Sequence, residues 1–302
     1  MHSRRFEWPT LGLILGVYLG FFLATTVLFQ MAPVMAVIVL ALAIVLHSSL
    51  MHEVLHGHPT RNEALNAALI FVNIGLFVPY LRFKDTHLEH HRDENLTDPY
   101  DDPESNYCDP EVWAFCGPMR RGVLRFNNTL CGRMLIGPLI GQFSFMLFDA
   151  KAIKKGDRRV LLGWLLHVPA LLPVVYWILN YGTMPVALYL TSAYIALSIL
   201  KIRTFLEHRA HPLARGRSVV IEQQCLFSFL FLNNSYHAVH HAHPKIAWYD
   251  LPAKFAAHRE RYLAQNEGYS YASYKEILGK YMFTAKDPVA HPIWTKDQKF
   301  GQ

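Results

Sequence analysis

Thirteen of the seventeen histidines in this 302-residue chain fall in four short patches. They read HSSLMHEVLHGHP (His47–Pro59), HLEHH (His87–His91), EHRAHP (Glu207–Pro212) and HAVHHAH (His237–His243). Neutral imidazole is the commonest protein metal ligand. His52 and His56 are four apart and share one face of a helix. In HLEHH, His87 and His90 are three apart, and His91 is rotated by about 100° from His90. One such motif can feed two metals, or one metal and a bridging position. His237, His240 and His241 repeat the spacing. So many imidazoles exceed what a single tetrahedral zinc uses. Two metals fit the count, and iron is favoured among imidazole-binding metals because nitrogen-rich, open-site iron can activate dioxygen.

The elements that must position these residues are apolar. Hydrophobic residues make up 52% of the chain and charged residues 17%, which argues against two ordinary soluble domains. Four runs carry no charge: Trp8–Phe29, Pro33–Leu50, Val160–Leu179 and Met184–Leu200. Each approaches the roughly 17 to 25 residues a helix needs to cross a bilayer. We therefore expect an all-α integral membrane fold forming one domain over 1–302. Four transmembrane helices, at about 8–29, 33–50, 160–179 and 184–200, form two hairpins. The segments 51–159 and 201–302 supply interfacial helices and a cytoplasmic cap that carries the histidine-rich di-metal site.

The first apolar run is too long for the hydrophobic region of a signal peptide, so the N-terminus reads as a retained span. Lys and Arg avoid the turns Gln30–Pro33 and Asn180–Thr183 and gather at the opposite ends, at Arg4, Arg5, Arg61, Lys151–Arg159, Lys201 and Arg203. The positive-inside rule then places both termini and all histidine patches in the cytoplasm, on a multi-pass chain. The net charge of +6 is met by anionic lipid headgroups, and nucleic acid is not needed to explain it. Cys108, Cys116, Cys131 and Cys225 form no CxxC pair and read as free packing thiols.

Ala64–Tyr80 and Met134–Phe148 are apolar but must keep both ends on one side, so they read as re-entrant or interfacial segments, the second interrupted by Gly137, Pro138 and Gly141. The stretch Arg92–Tyr107 is turn-rich, with Asp98-Pro99 and Asp102-Pro103 as turn formers. The tail from about Asp250 reads as a polar, aromatic cap. Ligating imidazoles need an acceptor on the second ring nitrogen; Glu53, Glu89, Asp98 and Glu207 are the candidates. His167, inside a span, reads as an interhelical hydrogen-bonding residue, and His2, His258 and His291 as solvated.

HEVLH (His52–His56), HLEHH (His87–His91) and NNSYHAVHH with the following HPKIAWYDLP (Asn233–Pro252) resemble the histidine boxes of the integral-membrane fatty acid desaturase and hydroxylase superfamily. The resemblance runs over roughly His47–Pro252 and rests on the three boxes together. It implies a non-haem di-iron centre at the cytoplasmic membrane face, with O2 as co-substrate and a lipid or acyl chain oxidised. It also implies a separate electron donor, ferredoxin-like or cytochrome-like. Carried over residue by residue, the metal ligands are His52, His56, His87, His90, His91, His237, His240 and His241, with His208 as the histidine between boxes two and three. His47, His58, His211 and His243 are surplus to these nine. The leading expectation is desaturation of an unactivated fatty acyl chain, with lipid or carotenoid hydroxylation or ketolation as the alternative. Two other classes remain. HEVLH also matches the HExxH pattern of zinc metalloproteases, with Glu53 as general base, and a metal carrier would need ionisable residues along its spans.

Overall fold

The computed structural model describes residues 6–92 and 95–295. His2, Arg4 and Arg5 of the charge argument lie outside them. The chain divides into two compact units, each assembled from separate stretches. The first comprises Met1–Lys84, Pro138–Leu200 and Phe229–Leu232; the second comprises Asp85–Gly137, Lys201–Ser228 and Asn233–Gln302.

The first unit contains four helices long and apolar enough to cross a membrane: Trp8–Thr25, Pro33–Leu55, Arg158–Asn180 and Val186–Thr204. The first is shorter than its apolar run because the chain breaks at Thr26 and resumes as the short helix Val27–Met31. The second starts on Pro33, where a fixed φ and a missing N–H cost nothing, and runs past Leu50 to bring His52 into its last turn. The turns at the far ends of the two helix pairs are joined. Thr183 N donates to Thr25 O at 2.9 Å and the Trp177 indole donates to Thr25 Oγ1 at 3.1 Å.

Ala64–Tyr80 is only partly helical. Glu63–Leu69 is a short helix, and an irregular stretch leads from it to the helix Tyr80–His90. Irregular backbone inside an apolar unit must have its carbonyls paired internally, and it does. Val72 O accepts from Tyr18 Oη and His47 Nε2, both at 3.0 Å. Ile74 O accepts from Tyr189 Oη at 2.6 Å, Leu76 O from His167 Nε2 at 2.7 Å and Phe77 O from Gln142 Nε2 at 2.9 Å. His47 and His167 thus serve the backbone of this stretch. The expected interruption of Met134–Phe148 is confined to Ile136, between the helices Leu130–Leu135 and Gly137–Lys154. Pro138 falls in the first turn of the second helix, where proline is tolerated, so it starts that helix and does not break it.

The second unit is built from short helices around Val220, Tyr236, Val239, Leu251, Phe255 and Tyr262. The tail is structured. Leu251–Ala257, Arg259–Gln265 and Tyr274–Tyr281 are helices, and Ser270–Tyr271 pairs in parallel with Val220–Ile221. Beyond them a strap, residues 284–294, lies along the turn-rich stretch 95–110. Cys108 N donates to Val289 O at 2.8 Å and His291 N to Cys108 O at 2.9 Å. Tyr107 Oη donates to Asp287 Oδ2 at 2.8 Å and the Trp294 indole to Asp98 Oδ2 at 2.7 Å. His291 is accordingly 6% exposed, not solvated as expected, because it packs on Tyr107 and pairs with Thr97 Oγ1. His258 is exposed.

Candidate metal centre

Inside the second unit, the helix ending at His90, the chain after Thr204 and the short helix His237–Ala242 bring seven imidazoles together. His90, His208, His237 and His241 form one cluster, their ligand atoms all within 4.8 Å of one another. His90 Nε2 and His237 Nε2 each lie 2.9 Å from His208 Nε2. His87, His91 and His240 form a second cluster, with His91 Nε2 at 3.0 Å from His87 Nε2 and 3.1 Å from His240 Nε2. Each box divides by its i,i+4 pair: His87 and His91 fall in the second cluster with His240, and His237 and His241 in the first with His90, so His87 and His90, three apart, do not share a cluster.

The outer nitrogens determine what the inner ones carry. His87 Nδ1 donates to Glu104 at 2.8 Å and His90 Nδ1 to Asp102 at 2.7 Å. His237 Nδ1 donates to Asn234 Oδ1 at 3.1 Å, and His208 Nδ1 pairs with Ser218 Oγ at 3.2 Å. In their neutral forms with the outer nitrogen donating, His87, His90 and His237 turn an Nε2 lone pair to the middle of their clusters. The donor set is all imidazole with carboxylates behind it, which suits iron, copper or zinc by type.

The electrostatics favour positive charge at the centre. Burial works against a charged His90, yet Glu104, the bond to Asp102 and the charges of Asp102 and Glu207 outweigh it, and its pKa is pushed up to about 9. Burial raises the Glu104 carboxyl, but His90, His87 and Arg203 together hold it well below its ordinary range. Burial and the neighbouring imidazoles hold His208 and His237 well below the usual histidine value, so both are neutral at pH 7, the form in which imidazole can bind a metal. Glu207 forms an ion pair with Arg203, whose Nε lies 2.8 Å away, and accepts from Asn234 Nδ2 at 2.7 Å, so it steadies His237 through Asn234.

In the first unit His52 and His56 pack edge to face, ring centroids 4.9 Å apart, at the end of the helix Pro33–Leu55. Glu53 turns elsewhere: His58 lies 3.8 Å from it and 2.8 Å from Glu7, in a separate buried cluster. His211 pairs with the backbone at Leu213, and His243 packs on the Tyr262 ring.

Of the four expected acceptors, Glu207 reaches the centre. Glu89 pairs with Arg92 and Asp98 caps its own turn, accepting from Tyr100 N and Asp101 N. Sequence reasoning missed Asp102 and Glu104, treating Asp102 as a turn former only. The signal available was their position: a carboxylate-rich stretch follows HLEHH directly, and its turns fold it back onto the histidines.

The fatty acid desaturase family model matches residues 29–273. No curated protein matches the chain. The matched residues include every histidine of the two clusters and the pair in the first unit, whereas the strap at 284–294 lies outside them.

Proposed function

This chain belongs to the fatty acid desaturase family, and we propose that within it the chain is an oxygen-dependent desaturase of a fatty acyl chain in a membrane lipid. At the level of the family it is an oxidoreductase of the lipid desaturase or hydroxylase type. Four apolar helices associate it with a membrane. The proposed orientation has both termini and the histidines on the cytoplasmic side.

We assign nine ligands to two irons, His52, His56, His87, His90, His91, His208, His237, His240 and His241, of which the second unit gathers His90, His208, His237 and His241 in one group and His87, His91 and His240 in another. When bound, the iron pair supplies the redox centre at which dioxygen is reduced. The overall reaction balances with O2 taking four electrons, two from the acyl chain as it loses two hydrogens and two from a separate ferredoxin-like or cytochrome-like donor, together with two protons from solvent, giving a double bond and two waters. The chain's own groups hold the centre. Glu104 and Asp102 hold His87 and His90 in the ligating tautomer and Asn234 Oδ1 does so for His237, while Ser218 Oγ orients the His208 ring. The burial of His87, His90, His237 and His240 keeps bulk water away from them.

The observation that carries this reading is the pair of histidine clusters whose ring nitrogens converge in the second unit. The zinc protease reading is weaker, because Glu53 lies beside His58 in a separate cluster and that reading leaves both HxxHH boxes unused. The experiment is expression of the chain in cells, with mass spectrometry of membrane lipids and metal analysis of the purified protein. Acyl chains lacking two hydrogens, and about two irons per chain, are expected. Replacing His90 or His240 by Ala should abolish the product and lower the iron. Chains gaining an oxygen would indicate the hydroxylase, and one zinc with no lipid product would overturn the assignment.

A further inference from the structure

A surface of the second unit remains outside this account. Two consecutive helices, Pro110–Ala114 and Pro118–Asn127, precede Leu130–Leu135. The longer, PMRRGVLRFN, buries none of its residues. At 100° per residue Met119, Gly122, Val123 and Phe126 share one face. That face is turned outward: Met119 is 84% exposed, Val123 45% and Phe126 41%, and Phe115, just before the helix, is 91% exposed.

An amphipathic helix normally turns its apolar stripe to the protein core; here the stripe is reversed. Arginines flank it on both sides. Arg120 and Arg125 are exposed, and no carboxylate among the described residues forms an ion pair with either. Arg121 folds back, donating to Ala114 O at 2.6 Å, and its guanidinium lies 5.6 Å from the centre of the Trp113 ring. The Arg125 guanidinium lies 5.8 Å from the same ring.

We infer that residues 110–127 form an in-plane anchor that lies in the headgroup layer of an anionic leaflet, with Phe115, Met119, Val123 and Phe126 turned to the acyl chains. The flanking arginines meet phosphates, and Trp113 takes the amphipathic position that aromatic residues favour at the interface. An outward apolar stripe edged by Arg is the pattern of helices that lie on a bilayer, and the four apolar helices of the same chain bring that bilayer within reach. The inference needs only membrane insertion and is independent of the reaction catalysed.

The test uses the full chain in lipid nanodiscs containing phosphatidylglycerol, with a fluorescent amino acid introduced by codon suppression at position 119 and, separately, at 123 and 121. Lipids brominated near the headgroup should quench the probes at 119 and 123 several-fold more than aqueous iodide does, and the probe at 121 less than either. Arg120→Glu with Arg125→Glu should reduce bromolipid quenching in anionic discs and leave it unchanged in discs of phosphatidylcholine alone. Iodide quenching dominant at 119 and 123 would overturn the inference. So would silence to both quenchers, which would mean cover by protein, or indifference to charge reversal. If the double variant fails to assemble, the comparison of positions in the unmodified arginine background still decides.

Discussion

At the scale of single residues, the decisive contacts are those on the far side of the imidazoles. Glu104 and Asp102 each hold the outer nitrogen of a histidine that we assign to metal. Loss of such a partner costs about 10- to 100-fold in metal affinity in comparable sites. Glu104→Gln and Asp102→Asn should each weaken iron binding by that order while the protein stays folded. A metal titration that returned the wild-type affinity for both would remove the carboxylates from the account. Arg82 and Asp149 form another consequential pair. The guanidinium binds the buried carboxylate through two contacts of 2.8 Å, and the Trp164 indole donates to the same carboxylate at 2.8 Å. Asp149→Ala removes both carboxylate contacts from the buried Arg82 guanidinium and should destabilise the fold by about 3–5 kcal/mol, read from denaturant unfolding in detergent. An unchanged midpoint would show that the pair contributes little.

At the scale of elements, the strap matters most. It bonds to the stretch 95–110 at Thr97, Asp98, Tyr107 and Cys108, on either side of Asp102 and Glu104. Removing residues 284–302 should raise hydrogen exchange in 95–110 and lower metal affinity in parallel, with the helices of the first unit unaffected. Exchange unchanged in 95–110 would mean that this stretch holds itself. Docking of the strap should also depend on pH. Burial and Arg217 lower the pKa of His291, against the opposing pull of Asp98 and Asp287. A histidine lowered in the folded state takes up its proton more readily once released. The stability it contributes is therefore complete above its ordinary value of 6.5 and is lost as pH falls through the folded value. Acid should free the strap below about pH 6.5, where the released imidazole protonates, and His291→Gln should shift or flatten that profile in an exchange measurement.

At the scale of the whole molecule, two expectations concern metal. Chelation of iron should release the constraint on the second unit while the four apolar helices keep their secondary structure, measured as a partial change in circular dichroism or exchange. Uniform unfolding of the chain on chelation would contradict it. The second expectation is iron stoichiometry of about two, lowered by His90→Ala or His240→Ala.

Much of this protein is legible in its residue order, for reasons that are local. Charge-free runs of spanning length yield membrane helices wherever they stand, because burying their backbone in lipid leaves few other conformations. The duplicated spacing in HLEHH and HAVHH announces ligands for two metals, but which histidine of each box joins which cluster was decided by the fold, which groups His87 with His91 and His237 with His241. What only the tertiary structure decided is everything that depends on chain separated by long loops. His47 and His58 sit in the same histidine-rich patch as His52, yet one serves Val72 O and the other Glu7. Asp102 and Glu104 become partners of His90 and His87 because turns and the strap fold them back. Helical period says which residues share a face; it does not say what that face meets, as the outward apolar stripe of Pro118–Asn127 demonstrates. Spacing along a chain constrains neighbours within a few turns, whereas the partner of a buried polar atom is chosen by which distant segment pays the least to reach it.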